Sequence, residues 1–225
     1  MAMPFLHWKP FKKMKRAHQA DGEMDHLLRL GAEYGDRIDL QWQANFRLPR
    51  WAQDDPRLFF QQSECHESEG RYWAFAARCS LARSLTRDEQ IMLGWRFIEQ
   101  MFPAYAGFAV LHEPTAADGL PQPHLHILYS ARLLDAYERG PEQFFTRYNA
   151  QRPAIGGARK DDQVLARQYP GLLHTAWHDL MEAHRVPIPG AKAEVLVPAP
   201  ATAPEGSLVR LKRWSFHGMG LRMKQ

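Results

Sequence analysis

In the segment GLPQPHLHILYSAR (residues 119–132), His124 and His126 stand two apart in a run with strand character. Side chains alternate across a strand, so both imidazoles face the same side. His112 ends an earlier apolar run, AGFAVLHEP (106–114). If the two runs pair as an antiparallel hairpin across the intervening loop, its imidazole reaches the same spot. Three neutral imidazoles on adjacent strands make a divalent-metal cage with positions left for substrate. A metal held this way polarises a phosphoryl oxygen and offsets the charge that develops in phosphoryl transfer. The H-x-H spacing alone is a weak signal that ordinary strand histidines also satisfy, and His112 is what strengthens it. Nucleotide hydrolases with three alternating histidines are disfavoured, because Leu128 occupies the third position. His174, His178 and His184 fall along one helical stretch and are expected to be surface or partly buried residues.

The 225 residues, 45% hydrophobic and 12% aromatic, suffice for one sizeable packed domain. No apolar run approaches the roughly 20 residues of a membrane span. The N-terminus lacks the apolar stretch of a signal peptide, and Cys65 and Cys79 suit neither a metal pair nor a disulfide scaffold. The protein is therefore expected to be cytoplasmic, with no membrane partner. The net charge of +4 is modest, but its distribution is uneven. Lys9, Lys12, Lys13, Lys15 and Arg16 accompany Trp8 and Phe11 at one end, and Arg210, Lys212, Arg213, Arg222 and Lys224 accompany Trp214 and Phe216 at the other. Basic residues neutralise phosphates and aromatic rings stack on unpaired bases; two solvated tails would show the same composition. Arg147, Arg159 and Lys160, around a Gly-containing loop, are further candidates for tracking a DNA backbone.

The elements that must position these residues follow from periodicity. A first helix is expected over 23–34, a strand over 71–81, and a helix opened by the Thr86/Glu89 capping box and ended by Pro103. Two strands carry the histidines, a short helix covers GPEQFFTRYN, and a helix over 163–185 is interrupted near Pro170 and places Leu172, Leu173, Trp177 and Met181 on one face. Residues 45–60 read as a loop leading into a short helical turn. Trp95 and Trp177 are expected in the core. The mixture argues an α+β fold with a central antiparallel sheet and flanking helices. The expected division is a basic N-terminal segment (1–22), a main domain (23–186), and a Pro/Ala-rich arm with a basic tail (187–225).

Several segments, in order, resemble the MobA/MobL family of plasmid mobilisation relaxases, within the HUH endonuclease superfamily. LPRWAQDDPRLFFQQSECHESEGRYW is similar to the family's Leu-Pro, Trp-Ala, Asp-x-x-x-x-Phe/Trp stretch, and ARSLTRDEQ to its Pro-x-Glu-Leu-Thr-x-x-Gln motif. FAVLHEPTAADGLPQPHLHILYSAR resembles the family's metal hairpin, and EQFFTRYNAQRPAIGGARK the segment that follows it. The likeness runs from about residue 16 to 186. It implies a relaxase-like sheet-centred domain that binds single-stranded DNA at an origin of transfer, alongside other mobilisation proteins. It also implies a divalent metal on His112, His124 and His126, for which ligand chemistry leaves Mn²⁺, Mg²⁺ or Zn²⁺ open; the DNA-contact candidates, from their charge alone, are Lys12, Lys13, Lys15, Arg16, Arg147, Arg159 and Lys160. Any helicase or primase step is expected from another protein.

The family's attacking residue is a tyrosine in a helix reading roughly Asp-Tyr-x-x-Arg-x-Gly. In MDHLLRLGAEYGD, Asp25, Arg29 and Gly31 keep that frame while His26 stands at the tyrosine position. Imidazole is a competent nucleophile, so His26 is the expected attacking residue. Tyr34 is the second candidate, and loss of nicking in a DNA-binding or accessory protein is the alternative. The acidic residues that the family carries before its Leu-Thr motif are missing from RYWAFAARCSLARSLT, where Arg78 stands near the expected position. A ligating histidine needs an acceptor for its other N–H, and Glu113 or Asp118 are the candidates for that role.

Overall fold

The computed structural model describes residues 5–13, 18–34, 38–52, 55–68, 70, 72–185, 214–217 and 220–223. Five strands, β1 (Leu6–Lys12), β2 (Leu40–Phe46), β3 (Tyr72–Ser80), β4 (Tyr105–His112) and β5 (His124–Leu133), form one antiparallel sheet. Their spatial order is β1-β3-β5-β4-β2. β4 is buried along its whole length and β5 nearly so, as expected of strands covered on both faces. Gly107 on β4 is required by packing: a Cβ there would lie 2.2 Å from the Phe46 ring and 2.5 Å from the Leu128 carbonyl.

One face of the sheet is covered by α3 (Arg87–Met101) and α5 (Tyr169–Arg185), with Phe97, Phe102, Trp177, Phe75 and Tyr129 at the centre. The other face is covered by α1 (Gln19–Leu28), α2 (Pro56–His66) and the short α4 (Pro141–Phe144). Met24, Leu27, Phe59, Phe60, Trp73, Phe108 and Leu128 fill that second layer. The fold is α+β, a central antiparallel sheet with flanking helices. Strands β6 (Trp214–His217) and β7 (Gly220–Met223) form a separate two-stranded sheet within the expected C-terminal tail.

Thr86 and Glu89 form the expected reciprocal capping box on α3. Several other expectations are corrected. Leu6–Lys12, assigned from sequence to a basic segment ahead of the domain, are an edge strand paired with β3, and the expected boundary at 22/23 falls inside α1. The first helix starts at Gln19 and ends at Leu28, not at 34, because Arg29 adopts a left-handed conformation (φ 57°). Leu30 is consequently exposed. The short helical turn expected at the end of residues 45–60 is an eleven-residue helix, started by Pro56 at its first turn with Asp55 accepting from Leu58 N–H. Before it, LQWQANF is the strand β2, with a register shift between Leu40 and Trp42. Leu172 points outward at 55% exposure, unlike Leu173, Trp177 and Met181.

Candidate metal centre

Strand register brings the histidines together. His112, the last residue of β4, lies opposite His124, the first of β5, and His126 lies opposite Val110 on one side and Arg78 on the other. Ring centroids are 5.6 Å apart for His112–His124 and 4.9 Å for His112–His126 and His124–His126. One nitrogen from each lies within 4.8 Å of the other two, the one such group among the described residues. Burial lowers the pKa of all three: His112 to about 4, and His124 and His126 below the ordinary value, with the neighbouring imidazoles depressing His126 further. All three are neutral at pH 7, the form that ligates.

The nitrogens fit a cation unequally. The His124 Nδ1 lies 3.0 Å from the Gln122 carbonyl, so Nδ1–H donates there and Nε2 keeps its lone pair. The His126 Nε2 is buried without a hydrogen-bond partner, an arrangement that a ligand satisfies. The His112 Nε2 lies 2.8 Å from the Leu27 carbonyl and therefore carries the proton. Its Nδ1 faces Arg29 Nη2 at 3.0 Å. The donor set suits a divalent cation, with His112 engaged by Arg29. Glu113 and Asp118, expected behind these histidines, pair instead with Arg87 and Arg83.

Helix α1 carries His26 over this cluster. Its ring centroid is 5.7 Å from His126, 6.4 Å from His112 and 5.6 Å from Tyr34. The helix has no cap of its own at His18; Glu64 on α2 accepts from the backbone N–H groups of His18, Gln19 and Ala20 at 2.9–3.3 Å. Arg57 on α2 pairs with Asp21 and Asp25, and Gln61 donates to Asp21. At the other end the left-handed Arg29, a conformation costing roughly 1–2 kcal/mol for a side-chain residue, turns its guanidinium beneath the helix. There it forms a buried bidentate pair with Asp39 and donates to the His26 carbonyl at 2.9 Å. Burial alone would raise the Asp39 carboxyl, but the Arg29 hydrogen bonds and charge outweigh it and hold its pKa below the ordinary value. Tyr34 is less suited to attack, since its hydrogen bond to Glu33 raises the phenol's pKa.

A cleft of about 440 Å³ opens beside His26 and His126, lined also by His7, Lys9, Glu23, Tyr34 and Arg78. His7, Arg78 and His126 form one row across the sheet. Sequence reasoning gave His7 and Glu23 no site role. The signal was the two-residue alternation of His7, Lys9 and Phe11, which only a strand turns into a face. Glu23, one turn before His26, is held above the ordinary carboxyl pKa by burial, against the pull of Lys9.

The basic residues expected on DNA are scattered. Lys12 is exposed but pairs with Tyr72 at the far end of β3 from Arg78, about 20 Å away at strand rise. Lys13 donates to the carbonyls of Cys65 and Glu67. Arg147 and Arg159 are exposed and line no part of the cleft. Lys160 is corrected to a structural role: its ammonium lies 3.0 Å from the Tyr72 carbonyl and 3.4 Å from Glu67, which is paired with the buried Arg132. Lys15 and Arg16 lie outside the described residues.

No family model matches the chain. It is 27% identical to the 43 kDa relaxation protein of Salmonella typhimurium over 174 residues, covering 73% of this chain and 46% of that protein. It is 29% identical to Mobilization protein A of Escherichia coli over 164 residues, covering 72% of this chain and 19% of that protein. A solved structure described as the molecular basis of vancomycin resistance transfer in Staphylococcus aureus shares the fold. Its TM-score is 0.55 at 15% identity, over 81% of this chain and 92% of that one. The likeness to relaxation and mobilisation proteins, together with the shared fold, supports the resemblance to the MobA/MobL relaxases. The chain spans less than half the length of the curated relatives it matches. Among its described residues, no helix is long and apolar enough to cross a membrane.

Proposed function

We propose that this chain nicks and rejoins single-stranded DNA at an origin of transfer, with His26 as the attacking residue, as part of a cytoplasmic complex of mobilisation proteins. The observation that carries this is the placement of His26 directly against the three-histidine cluster, at the mouth of a basic cleft. In this reading His7, Lys9 and Arg78 hold the DNA backbone across the sheet face. A lone pair of the neutral His26 ring attacks phosphorus, forming a P–N bond as the P–O3′ bond breaks. The proton on the ring's other nitrogen is released, and the 3′ oxygen gains a proton, leaving a free 3′ hydroxyl and a covalent 5′ phosphoramidate. The step reverses with the same groups, which suits religation. His112, His124 and His126 are the residues to hold Mn²⁺, Mg²⁺ or Zn²⁺; imidazole ligands favour Mn²⁺ and Zn²⁺ in affinity. The chemistry such a cation supplies is polarisation of the scissile phosphate.

A second reading, DNA binding without nicking, is favoured by one observation: β3 offers Ala76 and Arg78 to the cleft where the family carries carboxylates. Incubating the chain with an origin single strand and Mn²⁺ separates the two. The first reading expects a covalent protein–DNA adduct that disappears in His26→Ala and persists in Tyr34→Phe. Tight binding without any adduct overturns it.

A further inference from the structure

We infer that Arg29 competes with the divalent cation for His112, so that its guanidinium must leave Nδ1 before His112 can ligate. The inference deepens the metal reading above and rests on it. A neutral imidazole has one in-plane lone pair. In His112, which is fully buried, the Leu27 carbonyl fixes the proton on Nε2, and Arg29 Nη2, which can only donate, occupies the remaining lone pair at 3.0 Å. His124 and His126 present no such conflict: one turns its proton to a carbonyl and the other has a buried nitrogen without a partner. Two ligands are therefore ready and the third is taken.

The guanidinium is not there by default. Nε and Nη2 grip both oxygens of Asp39 at 2.8 and 3.0 Å, and Nη1 donates to the His26 carbonyl with its Nδ1 a further 3.5 Å contact. With His112, every N–H of the side chain has a partner inside the fold. A fixed positive charge beside the histidines also opposes a dication directly, and strongly so in a buried setting. Because the same guanidinium touches His26, cation binding and the setting of the attacking ring are linked through one side chain. Arg29 is thus a positioning residue that ties His112 to His26 and Asp39.

The test is Mn²⁺ affinity of the full chain, followed by the electron paramagnetic resonance of free Mn²⁺. Arg29→Met is expected to bind about tenfold or more tightly than wild type, with His124→Ala abolishing binding in either background. A merely structural Arg29 gives the opposite sign, since its loss would loosen the site. Equal or weaker binding by folded Arg29→Met, still dependent on His124, overturns the competition and leaves the metal reading standing. No His124-dependent binding in either protein overturns both. Should Arg29→Met not fold, ¹⁵N spectra of the wild type during a Zn²⁺ titration decide the matter. The His112 ring nitrogens and the Arg29 guanidinium are expected to shift in one transition; a His112 shift with Arg29 unmoved contradicts the inference.

Discussion

Burial that keeps His112 neutral makes the metal-free protein sensitive to acid. Its pKa lies at about 4 in the folded chain against an unfolded value near 6.5. Between those limits the unfolded chain binds more protons than the folded one, so stability falls as pH drops from about 6.5 toward 4. Urea unfolding in EDTA is expected to show a loss of about 2 kcal/mol between pH 7 and pH 5 from this residue alone, and His112→Gln should flatten the slope. At this scale the three histidines were legible because strand alternation and hairpin pairing place them by spacing alone. Arg29 and Asp39 were not. Their meeting depends on a left-handed backbone at Arg29 that no local pattern demands. Lys160 misled for a related reason: sequence shows a charge, while the buried Glu67 that recruits it lies on a distant segment.

Helix α1 shows how an element is set by parts remote in sequence. Its N-terminal N–H groups are satisfied by Glu64 on α2, so the start at Gln19 leaves no capping signature in its own residues. The α3 start, by contrast, carries its cap locally and was legible. Glu64→Ala is expected to cost about 2 kcal/mol in urea unfolding, since the carboxylate that satisfies buried helix N–H groups is removed. The same change should weaken any reaction that depends on His26, because α1 is what holds that ring over the cluster. An unaltered midpoint would mean that α1 is anchored by Arg57 alone. Strand β1 teaches the complementary lesson: HWKPF read as a basic tail because charge dominates its composition, yet its alternation feeds one face into the cleft.

Across the whole molecule, the two helix layers are unequal. α3 and α5 seal one face of the sheet with aromatics, while α1 and α2 leave the His7–Arg78–His126 row open. Under the proposed function, a single strand following that row would meet Lys9 and Arg78 beside the candidate nucleophile. Lys9→Ala with Arg78→Ala is expected to weaken single-stranded DNA binding and to reduce the salt slope by about 0.7 for each phosphate that is no longer neutralised. Lys160→Met should leave affinity nearly unchanged and lower the unfolding midpoint; the reverse pattern would move the DNA path to the far end of the sheet. The family resemblance agrees with the fold, and the departures it implies gather at one place, where His26 and Arg78 stand at the positions expected for a tyrosine and a carboxylate. The central claim is that His26 makes the covalent bond, and the chemical stability of the adduct tests it most directly. A histidine phosphoramidate formed with Mn²⁺ on an origin single strand is expected to survive alkali, to be lost in mild acid, and to map to the His26 peptide by mass spectrometry. An acid-stable adduct on the Tyr34 peptide would contradict the account.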